Sequence, residues 1–536
     1  MLKLQQKTTQ TMLALHGWGA VIFGLLLYWV ILTGTIAVFA DDINDWASPL
    51  PAAITETFPL GTDAMLRKAA ADVAPEYLDE LIVFATAGGR IRAFFHTHAE
   101  AEDGEHPEEK GVLFVFDPES GDILQRFEGT QSEIEAQSHY GKLGHFLVEW
   151  HVQLHVPSPW GLMLTGILGL SLLVACVSGF AMHRHLIKDA FLRRRRGGDV
   201  LSHKDAHVMA STWNLPFAFI LAFTGSFYSL AGAFAIPAIA MVAFGGDQEK
   251  LIETVQGLPP AEDPRPAEMA NIDTMLEDVR AAGHRTRFLT VDHWGRQDAR
   301  ISVFPWQAEG ELLPKGYSFD AQTGENLGEK PALGQSPSLG SDLVALMGPL
   351  HFGNFAGWLS KTVWFALGFA GAYVCISGLT LWVKRREQQK TWQYLLRATL
   401  WSAWGLPLAL VAAAAAYLLQ QAGVLAGAVE PLMFKAFGLC LALSGILAGI
   451  VRRVTGVRRI LVISLGLGLC ALVALRLLLG GPGWVSAATG GLTAVVVLDV
   501  ALLLGGAWLL RREWRKTLAL PEEPLIDTGD MEVNTP

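Results

Sequence analysis

The sequence predicts a mainly α, polytopic membrane protein with about eight transmembrane helices and two exported α+β modules. Of its 536 residues, 51% are hydrophobic and 17% are charged, whereas soluble proteins carry about 25% charged residues. Several apolar runs exceed the roughly 18 residues that mark a bilayer-spanning helix. A helix–module–helix pattern occurs twice, so the predicted fold includes a duplicated unit.

The first apolar run, at 13–40, is too long for a signal-peptide core and lacks a small-residue cleavage site, so we assign it as a membrane helix. The predicted organisation is a helix at 12–40, a module at 41–158, a helix at 159–183, a basic loop at 184–207, a helix at 208–235, a second module at 236–356, a helix at 357–383, a four-helix block at 399–510 and a tail at 511–536.

Lysine and arginine residues near the span ends set the predicted orientation. The short segment 184–206 contains seven of them, as many as the far longer segment 41–150. The short segment is therefore predicted to face the cytoplasm, with both modules exported and both termini cytoplasmic. The net charge of −10 lies largely in the exported loops and argues against nucleic acid as a partner. The lipid bilayer is the partner that the apolar spans predict.

The two exported segments share a hairpin pattern. FDPESGDIL at 116–124 corresponds to FDAQTGENL at 319–327, and each has a glycine in the turn. Each segment also begins with a helical period followed by strand-like runs. This correspondence supports the duplicated unit, whereas the four C-terminal spans lack histidine and are interpreted as packing elements.

Six of the 15 histidines lie at predicted membrane edges: His16, His151, His155, His183, His207 and His351. Ionisable residues at membrane depth are costly and usually functional, although any single interfacial histidine can also reach headgroup level. The interval from His16 to Gly34 equals the interval from His207 to Gly225, and a threonine precedes each glycine. The two histidines therefore begin equivalent helices at the same depth.

A second pair is predicted at the opposite depth. His155 and His351 each precede a glycine by the same interval, to Gly161 and Gly357. Two imidazoles from facing helices are what a bis-imidazole haem requires. A zinc or bare iron site usually needs three or four clustered ligands, and Glu149 is the only acidic candidate near these motifs.

These segments resemble the PepSY-associated transmembrane-helix family, which includes ferric-siderophore reductases and iron-regulated proteins of the bacterial inner membrane. The resemblance covers about residues 12–386 and is carried by LHGWGAVIFGLLLYWVILTGTIAVF, EWHVQLHVPSPWG, VSGFAMHRHLIKDAFLRRR, DAHVMASTWNLPFAFILAFTG and GPLHFGNFAGW…SGLTLWVKRR. The four C-terminal spans depart from it, because shorter members end after the fourth span.

The resemblance implies two b-type haems, PepSY-like modules in the periplasm and a ferric-chelate reductase activity. Electrons would pass outward to a ferric-siderophore substrate. Oxygen ligands hold ferric iron tightly and ferrous iron much less so, which makes reduction a release mechanism. No residue is predicted to act as a catalytic acid, base or nucleophile.

The six histidines fall on the family's histidine positions, which implies that they include the haem ligands. The repeat favours His16 with His207 near the cytoplasm and His155 with His351 near the periplasm. His183 is an alternative for one cytoplasmic ligand. His151 is an alternative for His155, because residues four apart in a helix share a face.

The electron donor is left open between membrane quinol and a separate cytoplasmic reductase. GLGLC at 466–470 lies inside a predicted span and is no nucleotide loop. The cytoplasmic connections, about 25 residues at most, are too short for a flavin or nicotinamide domain. The alternative function is a non-enzymatic PepSY-type regulator or ligand-binding protein. A transporter with inverted repeats is disfavoured, because the two units run in the same direction.

Overall fold

The computed structural model describes residues 5–48, 58–86, 90–98, 109–137, 141–182, 191, 199–247, 250–251, 254–255, 262–306, 311–334, 336–386 and 388–518. Within these ranges, eight helices are long and apolar enough to cross a membrane, which confirms the predicted number of spans. They are Gln6–Ala37, Trp160–Met182, Val200–Phe244, Gly357–Lys384, Lys390–Gln421, Val429–Ile450, Val454–Leu478 and Thr493–Lys516.

The described helices are α1 (Gln6–Ala37), α2 (Ala40–Ala47), α3 (Thr62–Ala70), α4 (Gln131–Gln137), α5 (Lys142–Val152), α6 (Trp160–Met182), α7 (Asp199–Leu230), α8 (Ile236–Phe244), α9 (Ile272–Ala281), α10 (Leu339–Phe352), α11 (Gly357–Lys384), α12 (Lys390–Gln421), α13 (Val429–Ile450), α14 (Val454–Leu478), α15 (Trp484–Thr489) and α16 (Thr493–Leu518). A 3₁₀ turn at Pro75–Leu78 precedes the first strand. A π-helical turn at Ala231–Ala235 joins α7 to α8, so the third span extends beyond the predicted end at residue 235.

The first four spans close into a four-helix core. Helix α1 packs on α6 and α11, and α7 packs on the same two helices, so each member contacts two neighbours. Their apolar residues point both inward and outward, as expected for helices surrounded by lipid and protein. Polar side chains inside this core, including Thr33, Ser178, Thr224 and Ser377, are buried.

The strands are β1 (Glu80–Thr86), β2 (Arg90–His98), β3 (Glu109–Phe116), β4 (Ile123–Thr130), β5 (Thr286–Asp292), β6 (Arg300–Pro305), β7 (Tyr317–Asp320) and β8 (Asn326–Glu329). They form one antiparallel sheet in the order β4-β3-β2-β1-β5-β6-β7-β8. Each of the two segments that were predicted as separate modules contributes four strands. The modules are therefore fused through the β1–β5 pair.

Pairing of β1 with β5 explains the fusion. Glu80 lies opposite Asp292 and Phe84 opposite Phe288 in an antiparallel register. Without this pairing, both strands would be exposed edges with unpaired backbone groups. Helices α3 and α9 cover one face of the sheet, and their side chains share a single apolar core with all four central strands.

The remaining spans form a C-terminal block, α12 to α16, that packs against the core. Helix α12 contacts α1 and α11 as well as α13 and α14. The hydroxyl of Tyr28 in α1 donates to Ala403 O in α12 at 3.0 Å. The last span begins at Thr493 rather than near residue 485, because the short helix α15 ends at Gly490 and Gly491, and Gly491 has a φ of +77°.

Candidate functional site

A cavity of about 1780 Å³ runs inside the four-helix core. Ligand sites usually occupy about 300–1,000 Å³, so this space is large enough for more than one bound group. His16, His151, His207 and His351 all line it. The core helices α1 and α7 and the adjoining helices α5 and α10 therefore bring four of the six predicted histidines to one internal space.

The four histidines form two pairs. The ring centroids of His16 and His207 lie 6.5 Å apart, and those of His151 and His351 lie 5.9 Å apart. We call the end with His151 and His351 the sheet end, since α5 and α10 join the core to the sheet there. The pair His16–His207 occupies the opposite end.

Serine residues of neighbouring helices anchor the pair at the opposite end. Nδ1 of His16 lies 3.1 Å from Ala175 O and 3.2 Å from Ser178 Oγ, and Nδ1 of His207 lies 3.0 Å from Ser377 Oγ. Each serine hydroxyl donates its own hydrogen to a carbonyl of its helix. The serines can therefore only accept from the imidazoles, so Nδ1 carries the proton and the lone pair lies on Nε2.

The sheet-end pair follows the same rule. Nδ1 of His151 donates to Val30 O at 2.9 Å, and Nδ1 of His351 lies 2.9 Å from Thr224 Oγ1. The Thr224 hydroxyl donates to Ile220 O at 2.8 Å and must accept from the imidazole. Metal-ligating histidines almost always donate their second ring N–H in this way, which fixes the tautomer and the ring orientation.

Each imidazole also lies against a glycine of a neighbouring helix. A Cβ atom at Gly34 would come within 2.5 Å of the His151 ring, and one at Gly225 within 3.1 Å of the His351 ring. At the opposite end, a Cβ at Gly179 would meet His16 at 3.5 Å and one at Gly378 would meet His207 at 3.1 Å. Four glycines thus leave room for four rings.

This arrangement explains the equal intervals between histidine and glycine in the sequence. About 18 residues of α-helix make five full turns and rise about 27 Å. His16 and Gly34 therefore share one face of α1, and His207 and Gly225 share one face of α7. Each helix contributes an imidazole to one end of the cavity and a glycine to the other, so the two pairs lie about 27 Å apart along the core.

The structure places His151, the alternative to His155, opposite His351, whereas the favoured pairing of His155 with His351 is not seen. The expectation that His151 and His155 share a helix face also fails, because α5 ends at Val152. Leu154 and His155 have φ values of +54° and +52°, which turn the chain away from the helix. His155 instead donates from Nε2 to Phe146 O at 3.0 Å.

Of the remaining sequence candidates, His183 and most of the basic loop at 184–207 lie outside the described residues. Glu149 accepts a hydrogen bond from the Gln153 side chain at 2.6 Å and does not line the cavity. The roles of Ser178, Ser377 and Thr224 were missed. Their only sequence signal is that each directly precedes the glycine that contacts an imidazole, as does Thr33 before Gly34.

Residues in strand β5 and next to the ends of β5 and β6 also line the cavity at its sheet end. They include Arg285, Arg287 and Trp306, with the Arg287 guanidinium 4.9 Å from the Trp306 ring. On the core side of this mouth, Lys361 pairs with Asp42 at 2.8 Å. The cavity therefore reaches from the core to a charged and aromatic surface under the sheet.

The donor set at each end consists of two imidazoles, with ring centroids 6.5 and 5.9 Å apart. Such a pair would suit a macrocyclic metal group better than a bare metal ion, which usually needs three or four clustered ligands. In the described ranges, no three histidine, cysteine, aspartate or glutamate side chains gather into a metal-binding group. Two imidazoles per end complete the coordination of iron only if a macrocycle supplies the other ligands.

Replacing Gly34 with alanine should destabilise the protein, because the added methyl would overlap the His151 ring. We expect a loss of about 1–3 kcal/mol, the usual cost of overpacking. Gly19→Ala is the matched control on the same helix, since a Cβ there meets nothing within 4 Å. Thermal unfolding of the purified variants measures the difference, and equal midpoints for the two variants would contradict the close glycine contact.

Comparison with known proteins agrees with this architecture. The profile of a family described as the PepSY-associated TM region matches residues 13–385. The uncharacterized protein PA4219 of Pseudomonas aeruginosa is 29% identical over 419 residues, which cover 72% of this chain and 98% of that protein. The matched profile contains the four-helix core and the sheet and ends before α12. The chain is thus a multi-pass membrane protein that belongs to the PepSY-associated transmembrane family.

Proposed function

We propose that the protein is a haem b-containing oxidoreductase of the bacterial inner membrane. It passes electrons across the bilayer and reduces ferric-siderophore complexes at the periplasmic face. The sheet then lies in the periplasm, both termini lie in the cytoplasm, and the core with its sheet derives from a duplicated helix–module–helix unit. The basic segments at the end of the core opposite the sheet support this orientation.

The observation that carries the proposal is the equivalence of the four imidazoles. Each lines the cavity, each donates from Nδ1 to a neighbouring helix, and each lies on a glycine. The two pairs lie at opposite ends of the core. A structural histidine needs no such repeated set of contacts, whereas a ligand must be held in one tautomer and one orientation.

In this proposal, His16 and His207 hold one haem, and His151 and His351 hold the other. When bound, haem supplies reversible one-electron chemistry at iron. The chain itself would hold these groups through the Nε2 atoms of the four histidines, whose directions are fixed by Ser178, Ser377, Thr224 and two backbone carbonyls, and apolar side chains would surround them. Such burial of the site limits access by water and tunes its redox potential.

Two kinds of electron donor, membrane quinol and a separate cytoplasmic reductase, could supply the electrons that reduce the ferric iron. Oxidation of one quinol to a quinone releases two electrons and two protons, which suffices for two ferric ions. A separate cytoplasmic reductase would deliver the electrons one or two at a time to the end with His16 and His207. In either case the iron leaves as Fe(II), which hard oxygen ligands bind more weakly than Fe(III).

The mouth of the cavity at the sheet end supports a periplasmic substrate. Arg285 and Arg287 present guanidinium groups that suit carboxylate or catecholate oxygens of a chelate. Trp306 adds an aromatic surface beside them. A chelate held there would lie at the end of the cavity that His151 and His351 occupy.

Alanine variants of the four cavity histidines should each lose one of two haems. We expect the purified wild type to show a Soret band and b-type α bands in a reduced-minus-oxidised spectrum. His16→Ala and His207→Ala should remove the same spectral component, and His151→Ala and His351→Ala should remove the other. The haem-to-protein ratio should fall by about half in each case.

His155→Ala is the matched control for His151→Ala, because the two histidines are close in the chain but only His151 lines the cavity. It should keep both haems. A colourless wild type would refute the proposal and favour a non-enzymatic regulator. Loss of haem in His155→Ala with retention in His151→Ala would refute the assignment of ligands.

The reduced protein should donate electrons to a ferric chelate. Dithionite-reduced protein, freed of excess reductant under anoxic conditions, is mixed with ferric hydroxamate or catecholate complexes and a ferrous-iron trap. We expect reoxidation of the Soret band and Fe(II) formation in a ratio of one electron per iron. His351→Ala should lower the rate by about tenfold or more, because the outward end of the path is lost. Reoxidation without Fe(II) formation would contradict the proposed substrate.

A further inference from the structure

Helix α5, which carries His151, packs against the C-terminal block. Lys142, the first residue of α5, pairs with Glu430 at the start of α13, with Nζ and Oε1 3.0 Å apart. One and two turns further along α5, Phe146 and Trp150 pack on Phe437 with ring centroids 5.9 and 4.6 Å apart. These three residues of α5 are four positions apart and form one face of the helix.

The other flank of α5 is also tied to the C-terminal block, through α2. The indole N–H of Trp46 in α2 donates to Asp499 Oδ1 in α16 at 2.7 Å. Two residues earlier, Asn44 Oδ1 accepts from the backbone N–H of Gly144 in α5 at 2.7 Å. Helix α2 therefore bridges the last span to the beginning of α5.

Asp499 is a rigid anchor for this bridge. Its carboxylate is fully buried and receives two hydrogen bonds from the buried Arg476 guanidinium, one of them from Nε at 3.2 Å. The indole N–H of Trp484 donates to Oδ2 at 2.9 Å. A buried ion pair at this depth is costly unless every partner is in place, so the anchor has one well-defined arrangement.

His351, the other histidine of the sheet-end pair, has no comparable contact with the C-terminal block among the described residues. In the part of the chain that the structure describes, the ring contacts and hydrogen bonds of His351 come from α5, α7 and its own helix α10. His151 and His351 lie opposite each other, and among the described residues the helix of His151 contacts α13 directly and α16 through α2. The C-terminal spans therefore act on one ligand of the sheet-end pair.

We propose that the C-terminal block is a positioning element for His151. Glu430 and Phe437 contact α5 and fix its position against the core. Asp499 fixes α2, which in turn contacts α5, so the His151 imidazole stays aligned with His351. Ligand sites require alignment within about 0.5 Å and 10–20°. The identity of the group that His151 holds rests on the proposed function, whereas the bracing of α5 does not.

Two matched variants test the proposal in the full-length protein. Trp46→Phe and Trp484→Phe each remove one indole hydrogen bond to the Asp499 carboxylate. Trp46 belongs to α2, which contacts α5, whereas Trp484 belongs to the C-terminal block itself. Glu430→Gln provides a second test, because Glu430 is 41% exposed and its replacement leaves the block intact. Hydrogen exchange of the α5 amides, with those of α10 as an internal reference, reports the bracing without any cofactor.

We expect α5 exchange to rise about fivefold in Trp46→Phe and Glu430→Gln, the factor for one lost hydrogen bond or ion pair, with no change in α10 or in Trp484→Phe. Electron paramagnetic resonance should show a shift in one of two low-spin haem signals in the same two variants. Unchanged α5 exchange, or an equal rise in Trp484→Phe, would overturn the positioning role. If α5 exchange rises in these two variants but the purified protein contains no haem, the positioning of α5 by the C-terminal block is supported and the proposed function is refuted.

Discussion

The structure depends on one repeated contact: an imidazole whose Nδ1 is held by a neighbouring helix and whose ring lies on a glycine. The hydrogen bond sets the tautomer, and the missing Cβ allows the ring to fit between the helices. Because the contact occurs at both ends of α1 and α7, it dictates which faces of these helices point inward. The packing of the four-helix core and the position of its cavity follow from that choice.

Hydropathy and spacing predict the spans and include all four cavity histidines among the six candidates, since both are local properties. Membrane spans can be recognised from the length of the apolar runs. Residues separated by a whole number of helical turns lie on the same face of the helix. Between His155 and its alternative His151, the equal intervals to Gly161 and Gly357 favour His155 as the partner of His351. The interval from His151 to Gly161 is longer than the interval from His351 to Gly357, so spacing alone does not select the histidine that lies opposite His351.

Long-range pairing lies beyond such patterns. Alternating residues in β1 and β5 predict strands but do not say that the two strands, which are far apart in the chain, pair with each other. The same holds for the C-terminal block. Its spans carry leucine, alanine and glycine with few polar signals, and Asp499 gains meaning only when Arg476, Trp46 and Trp484 converge on it in space.

The most direct test of the central claim is the haem stoichiometry and spin state of the purified wild-type protein. Quantification as the pyridine complex should give two b-type haems per polypeptide, and electron paramagnetic resonance of the oxidised protein should show both as low-spin species with two imidazole ligands. A preparation without haem, or with iron in a high-spin state that has an open axial position, would contradict the assignment of His16, His207, His151 and His351 as paired ligands.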